Sequence, residues 1–277
     1  MENLKSVKDR MHTVDSLIKT TNAMKMVSTV KMAKFGNVCK FSRECAEKLF
    51  EMLSLVLGNL IFEEKLEDDH WLLSKNKNGK ILVLVLSASR GFCGAFNNSV
   101  INEANKLISH NKNCKIKIFG KKAAVVAPTE VIDIEDWFNI QSFSNKIYEI
   151  IMDNLTSDRI SRIMIVSGKH KNSLVQKAEA SSVFPLSIEK IPRYVKVDED
   201  EVEIAEQLFQ SYMTKLLNTV IVEHINAELA ARVMAMDNSV RNARDMYDNL
   251  NMIYNRSRQA KITQELAEIV NSMDSVQ

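Results

Sequence analysis

The residues best suited to chemistry lie in the run Ser87-Ala-Ser-Arg-Gly-Phe-Cys-Gly94, where two glycines follow an apolar stretch and a cysteine stands between them. Glycines between a strand and a helix are how many α/β proteins hold phosphate on backbone N–H groups. The fingerprint is incomplete here. Gly91 and Gly94 do not make GxGxxG, no GxxxxGK[ST] occurs anywhere, and no acidic residue closes a second strand about 20 residues on. A tight turn packing helix on sheet is the preferred reading. Cys93 has no histidine near it in sequence to make it a thiolate nucleophile, and reads equally well as a small buried hydrophobe. The histidines, His12, His70, His110, His170 and His224, are scattered singly. Cys39, Cys45, Cys93 and Cys114 show neither CxxC pairing nor histidines at metal spacing. No catalytic triad, metal site or cofactor is indicated.

Charge carries more information at the N-terminus. Up to Lys40 there are eight basic residues (Lys5, Lys8, Arg10, Lys19, Lys25, Lys31, Lys34, Lys40) against three acids, Glu2, Asp9 and Asp15. A solvated helix face explains such a run; so does a surface for an acidic partner. Nucleic acid is disfavoured, because the net charge is only +2 and aromatics do not interleave with the basic residues.

These residues need elements to position them. From Arg193 to Gln277 there is no glycine or proline, so nothing punctuates a helix from within. One very long terminal helix is expected. The first 35 residues also lack both, and Leu4, Val7, Met11, Val14, Ile18 and Thr21 alternate at spacings of three and four. Leu229, Val233, Met236, Val240, Ala243, Tyr247, Leu250 and Tyr254 keep the same alternation. Both stripes are buried most simply by an antiparallel coiled coil of the two chain ends.

The middle has a different period. Lys80-Ile-Leu-Val-Leu-Val-Leu-Ser87 is a continuous apolar run of the kind covered on both faces, followed by a turn and an expected helix through Ile108. Lys115–Phe119, Glu130–Ile134 and Arg162–Val166 read as further strands, Ser142–Leu155 as a helix and Val175–Val183 as an edge strand. This is the alternation of a Rossmann-like, doubly wound α/β domain. All three prolines and most glycines fall between Gly79 and Pro192. The expected division is 1–75 coiled-coil helix, 76–192 α/β domain, 193–277 coiled-coil helix.

A composition of 45% hydrophobic and 26% charged residues excludes disorder, and no apolar run reaches the ~18 residues of a transmembrane span. The start, MENLKSVKDR, passes directly into the heptad pattern, so neither a signal nor a transit peptide is expected. A reduced, bacterial cytoplasmic setting is the default, or a mature organellar form.

Three motifs then resemble one family. Ala230-Ala-Arg-Val-Met-Ala-Met-Asp-Asn238 and Tyr254-Asn-Arg-Ser-Arg-Gln-Ala-Lys-Ile-Thr-Gln-Glu-Leu-Ala-Glu-Ile-Val270 resemble the C-terminal signature of the gamma subunit, the central stalk, of F-type ATP synthases. Asn22-Ala-Met-Lys-Met-Val27 with Lys31, and Ser87–Gly94 with Asn97, fall where that family has its other two motifs. The resemblance spans the chain. It implies a coiled-coil shaft inside a ring of three alpha and three beta subunits. A Rossmann-like foot would stand on the c-ring beside the epsilon subunit. The shaft would be non-catalytic, turned by proton flow and touching the membrane only through the c-ring, on the cytoplasmic face of a bacterial inner membrane (the matrix if mitochondrial).

By motif match, Met24, Lys25 and Lys31 would face an acidic beta-subunit loop. Arg232, Gln259, Thr263 and Glu265 would make polar contacts with the catalytic ring and its bearing. Arg90, Gly91, Cys93, Gly94 and Asn97 form the foot-domain motif. Gln259 and Thr263 share a helical face from which Glu265 points away. Ser89 stands where the family usually has aspartate, Thr20 and Asn22 replace a usual isoleucine and lysine, and Ser272-Met273 replaces Gly-Ala. Two other classes fit parts of the sequence: a nucleotide-dependent enzyme lacking its fingerprint, and a coiled-coil adaptor that leaves the C-terminal signature unexplained.

Overall fold

The computed structural model describes residues 4–66, 70–73, 79–88, 90–111, 113–132, 139–157, 160–172, 175–186, 188 and 200–274. Nine α-helices and β-strands run in the order α1 (Leu4–Phe62), β1 (Lys80–Leu86), α2 (Phe96–His110), β2 (Cys114–Phe119), β3 (Val131–Ile132), α3 (Ile140–Ser157), β4 (Ile160–Asn172), β5 (Val175–Phe184) and α4 (Glu201–Asp274), among the described residues. Helix α1 is longer than the glycine-free run suggests, since it continues through Gly36 and Gly58. A helical glycine costs roughly 1 kcal/mol against alanine. Around Gly58, the fully or nearly buried Leu53, Leu57 and Leu60 outweigh that cost. Helix α4 starts at Glu201, later than the expected start near Arg193. Ser89, Ile134, the expected boundaries near 75 and 192, Arg193, Tyr194 and the first part of the acidic run 198–201 lie outside the described residues.

Two compact units divide the chain: residues Met1–Ser28 with Val233–Gln277, and residues Thr29–Arg232. In the first, the N-terminal part of α1 and the C-terminal part of α4 pair antiparallel. Lys25 bonds Asp237, while Lys8, Met11, His12 and Asp15 line a groove with Tyr247, Asn251, Tyr254 and Asn255. Val7, Val14 and Thr21 are buried from one helix and Met236, Val240 and Ala243 from the other, with Met11, Ile18, Tyr247, Leu250 and Tyr254 half-buried. The heptad stripes are therefore the seam of an antiparallel coiled coil. From Lys261 to Asn271 every side chain is exposed.

In the second unit the sheet order is β3-β2-β1-β4-β5, with β5 antiparallel to β4 and the other neighbours parallel. Strand β1 lies between β2 and β4, and its pleat sends alternate residues to opposite faces. Leu82, Leu84 and Leu86 join Phe143, Ile147 and Ile151 of α3, Leu53, Leu57 and Leu60 of α1, and Phe209, Met213 and Leu217 of α4. Val83 and Val85 join Phe96, Val100 and Ala104 of α2 together with Ala227 and Ala231 of α4. Each such leucine, fully withdrawn from water, contributes about 2 kcal/mol. The long helices pack antiparallel here too: Ser42 meets Thr219 at 3.0 Å, the rings of Phe50 and Tyr212 stand 5.3 Å apart, and Lys65 bonds Glu201 at 2.9 Å.

Candidate functional site

The loop after β1 is built from its own side chains. The Asn97 amide accepts the Ala88 N–H at 3.0 Å through Oδ1 and donates to Cys93 Sγ at 3.1 Å through Nδ2. Cys93 is 2% exposed, and burial raises its thiol pKa above the ordinary value. A thiol held protonated is a poor nucleophile. Gly94 takes φ +58°, a left-handed conformation suited to glycine; Phe92, at φ +63°, takes it despite its side chain and is exposed. Arg90 is exposed beside it.

Helix α4 supplies the other half of this cluster. Arg232 donates from Nε and Nη2 to the Gly91 carbonyl, each at 3.3 Å, and Nη2 also binds Glu228 Oε1. Both side chains of that pair are nearly buried. One turn earlier, fully buried His224 accepts the Gly168 N–H at 3.0 Å. Burial lowers its pKa to about 4, so the ring is neutral.

A second polar cluster interrupts the coiled-coil seam of the first unit. Lys25 Nζ binds Asp237 Oδ1, and Arg241 Nη2 binds Asp237 Oδ2 at 2.5 Å. The Lys25 bond first, then that of Arg241, holds the Asp237 carboxyl below its usual pKa. Met24 is 43% exposed on the same turn. Gln259 and Thr263 are exposed along one face of α4, the Thr263 hydroxyl donating to the Gln259 carbonyl at 2.9 Å. Exposed Glu265 lies 3.7 Å from Lys261. Lys31 is half-buried on α1, in the second unit.

The structure thus brings Arg232 to Gly91, though the motifs assign them to different surfaces. Asp237, Glu228 and His224 are site residues that sequence reasoning missed. The spacing of Glu228 and Arg232, and of Asp237 and Arg241, is i,i+4 and was a legible pairing signal; His224 offered none. Among the described residues no group of three His, Cys, Asp or Glu side chains is placed to hold a metal, and no helix is long and apolar enough to cross a membrane.

An antiparallel coiled coil of terminal helices and an α/β domain between them define the class, a coiled-coil protein built around a five-stranded mixed sheet. Comparisons with known proteins show its family. A family model described as ATP synthase matches residues 3–276. The ATP synthase gamma chain of Campylobacter lari is 30% identical over 293 aligned residues, covering 100% of both chains, and that of a Sulfurovum species 28% over 295. Among solved structures, a chain of the Euglena gracilis mitochondrial ATP synthase OSCP/F1/c-ring assembly superposes with a TM-score of 0.66 at 15% identity, covering 99% of this chain and 94% of that one. A chain of the Tetrahymena thermophila central stalk and c-ring gives 0.57 at 18% identity, covering 79% and 98%. The chain belongs to the ATP synthase gamma-chain family. Its function is accordingly that of an ATP synthase gamma chain.

Proposed function

We propose that the chain is the rotor shaft of a proton-translocating F-type synthase, coupling rotation of the c-ring to ATP synthesis or hydrolysis on the alpha and beta subunits, and performs no chemistry itself. The observation that carries this is the end of α4. From Lys261 to Asn271 every side chain of the helix is exposed, Ile262, Leu266 and Val270 among them at helical spacing. An exposed apolar stripe near a helix tip fits an apolar bearing supplied by a surrounding ring.

The mechanism needs stiffness and asymmetry. Helices of 59 and 74 residues carry different side chains on each face, so three chemically equal catalytic subunits around them meet unequal contacts. A shaft whose contacts differ at each subunit is a ligand with state-dependent affinity, and its angle biases each site between open, loose and tight. Met24 and Lys31, together with Gln259, Thr263 and Glu265, are the proposed contacts toward the beta subunits and the bearing. Lys25, bonded to Asp237, and Arg232, bonded to Glu228 and the Gly91 carbonyl, belong to the same proposed set. The partners are three alpha and three beta subunits, epsilon and the c-ring. The setting is peripheral, on the cytoplasmic face of a bacterial inner membrane, in keeping with the bacterial relatives. Segments 1–75 and 193–277 serve as the shaft and 76–192 as the foot.

Gel filtration with the cognate alpha and beta subunits, followed by MgATP hydrolysis on the joint peak, tests the reading. Co-migration at one copy per three alpha–beta pairs with faster turnover supports it; separate elution with unchanged turnover overturns it.

A further inference from the structure

Gly36 lies in the interior of α1, where a glycine costs roughly 1 kcal/mol against alanine, yet a Cβ added there would meet nothing within 4 Å. Its own packing therefore does not require glycine. The open space is a groove of about 540 Å³ between α1, α4 and β4, all within the second unit. Asn226 of α4 lines the groove, and its Oδ1 is buried with no hydrogen-bond partner. A buried carbonyl oxygen left without a donor costs about 1–3 kcal/mol. Three residues earlier on the same face of α4, the Glu223 side chain is 14% exposed and is bound at Oε1 by Arg43 Nη2. Lys169 of β4, also on the groove, reaches Glu179 at 3.3 Å. Lys40, Glu44 and Glu47 of α1 complete the charged wall. Four carboxylates (Glu44, Glu47, Glu179, Glu223) thus stand against three cations (Lys40, Arg43, Lys169), a surplus of one negative charge.

We propose that this groove takes an arginine side chain from a protein that lies alongside the long helices. Three observations converge on that chemistry. The buried Asn226 oxygen requires an N–H donor, the surplus carboxylate requires a cation, and the bare backbone at Gly36 leaves room for a flat group against the helix. A guanidinium meets all three, since its fork donates from several nitrogens in one plane and bonds Asn226 and an acidic neighbour at once. An ammonium is a compact, strongly hydrated point charge and lacks that reach. An anionic ligand would add to the surplus it met. The binding chemistry stands without the rotor reading; its use by a partner rests on the chain being assembled in a synthase.

The test has two arms. In the first, the full-length isolated chain is titrated with N-acetyl-arginine amide or N-acetyl-lysine amide, and binding is read by saturation-transfer NMR on the added compound. The arginine compound is expected to bind saturably and the lysine compound about tenfold more weakly, the worth of one bond to a charged group. Asn226→Ala and Gly36→Leu are expected to weaken arginine binding by at least as much. Gly36→Leu should not lower Tm, because leucine favours the helix, so its loss of binding is not loss of fold. In the second arm, exposed Glu44 and Glu47 are labelled with carbodiimide and glycine ethyl ester. Both should react in the isolated chain, be protected in the purified synthase, and react again in an Asn226→Ala synthase of unchanged subunit composition. No saturable arginine binding, equal binding of the lysine compound, or full binding by Asn226→Ala overturns the site, and the Asn226 oxygen is then served by water. Equal labelling of Glu44 and Glu47 in the synthase and in the isolated chain overturns the docking of a partner's arginine. Protection that Asn226→Ala leaves intact assigns the cover to another contact and overturns it too. If the chain fails to assemble with alpha and beta, the rotor reading falls, while the first arm still decides the site.

Discussion

His224 of α4 accepts the Gly168 N–H of β4 at 3.0 Å through Nδ1, and its ring centroid lies 5.4 Å from that of Phe96 on α2. One histidine therefore joins a helix, a strand and a second helix in the interior of the α/β domain. The contact demands glycine at 168: a Cβ there would run into the Phe96 ring and stand 3.3 Å from the Ala227 Cβ.

Acid should weaken the domain through this group. His224 has a folded pKa of about 4 against an ordinary 6.5, because burial penalises the imidazolium. Below the ordinary value the unfolded chain takes up a proton that the folded chain refuses. The stabilisation is thus present above pH 6.5 and is lost as pH falls toward 4, on the order of 3 kcal/mol in all. Urea unfolding between pH 7 and 4.5 should show a steeper decline for wild type than for His224→Gln. Parallel pH profiles would contradict the assignment.

Gly168→Ala should destabilise by about 1–3 kcal/mol, since the methyl must displace a buried aromatic ring. Its denaturation midpoint should fall while that of Gly36→Ala does not, because a Cβ at half-buried Gly36 meets open space and alanine favours the helix.

Lys25→Met removes the main support of the Asp237 carboxylate. The Asp237 pKa should rise toward the ordinary carboxylate value, leaving Arg241 as the remaining partner. Carbon-detected NMR titration reads this directly. The melting difference between wild type and variant should shrink in high salt, as both groups are partly open to solvent.

Cys93 should be slow to alkylate. Iodoacetamide at pH 8, read by peptide mass spectrometry, is expected to modify the half-buried Cys45 well before Cys93, and Asn97→Ala should accelerate the reaction at Cys93 by opening the loop.

The isolated chain should self-associate through the tip of α4. Leu266→Ser combined with Val270→Ser removes two of the exposed apolar side chains and should shift sedimentation toward monomer at equal helicity. Unchanged self-association would place the sticky surface elsewhere.

The sequence alone determined the long terminal helices, their seam and the strand-loop-helix unit, because each is written in local periodicity. Three-four spacing makes a buried stripe on any helix, and an unbroken Ile81–Leu86 run has no stable place but between two covered faces. Helix α1 runs through the glycines at 36 and 58, since their cost is local and the packing that outweighs it is not. Motifs also marked where Arg232, Lys25 and the Gly91 loop would stand in the chain. What they touch was not legible. Arg232 and Gly91 are 141 residues apart, and Lys25 and Asp237 are 212 apart. Only the antiparallel return of α4 along α1, and the crossing of α4 over β4 at Gly168, brings such groups within bonding distance. The tertiary structure therefore decided which charges are paired inward and which remain for a partner, because an ion pair or a buried imidazole depends on distance and burial rather than on spacing along the chain.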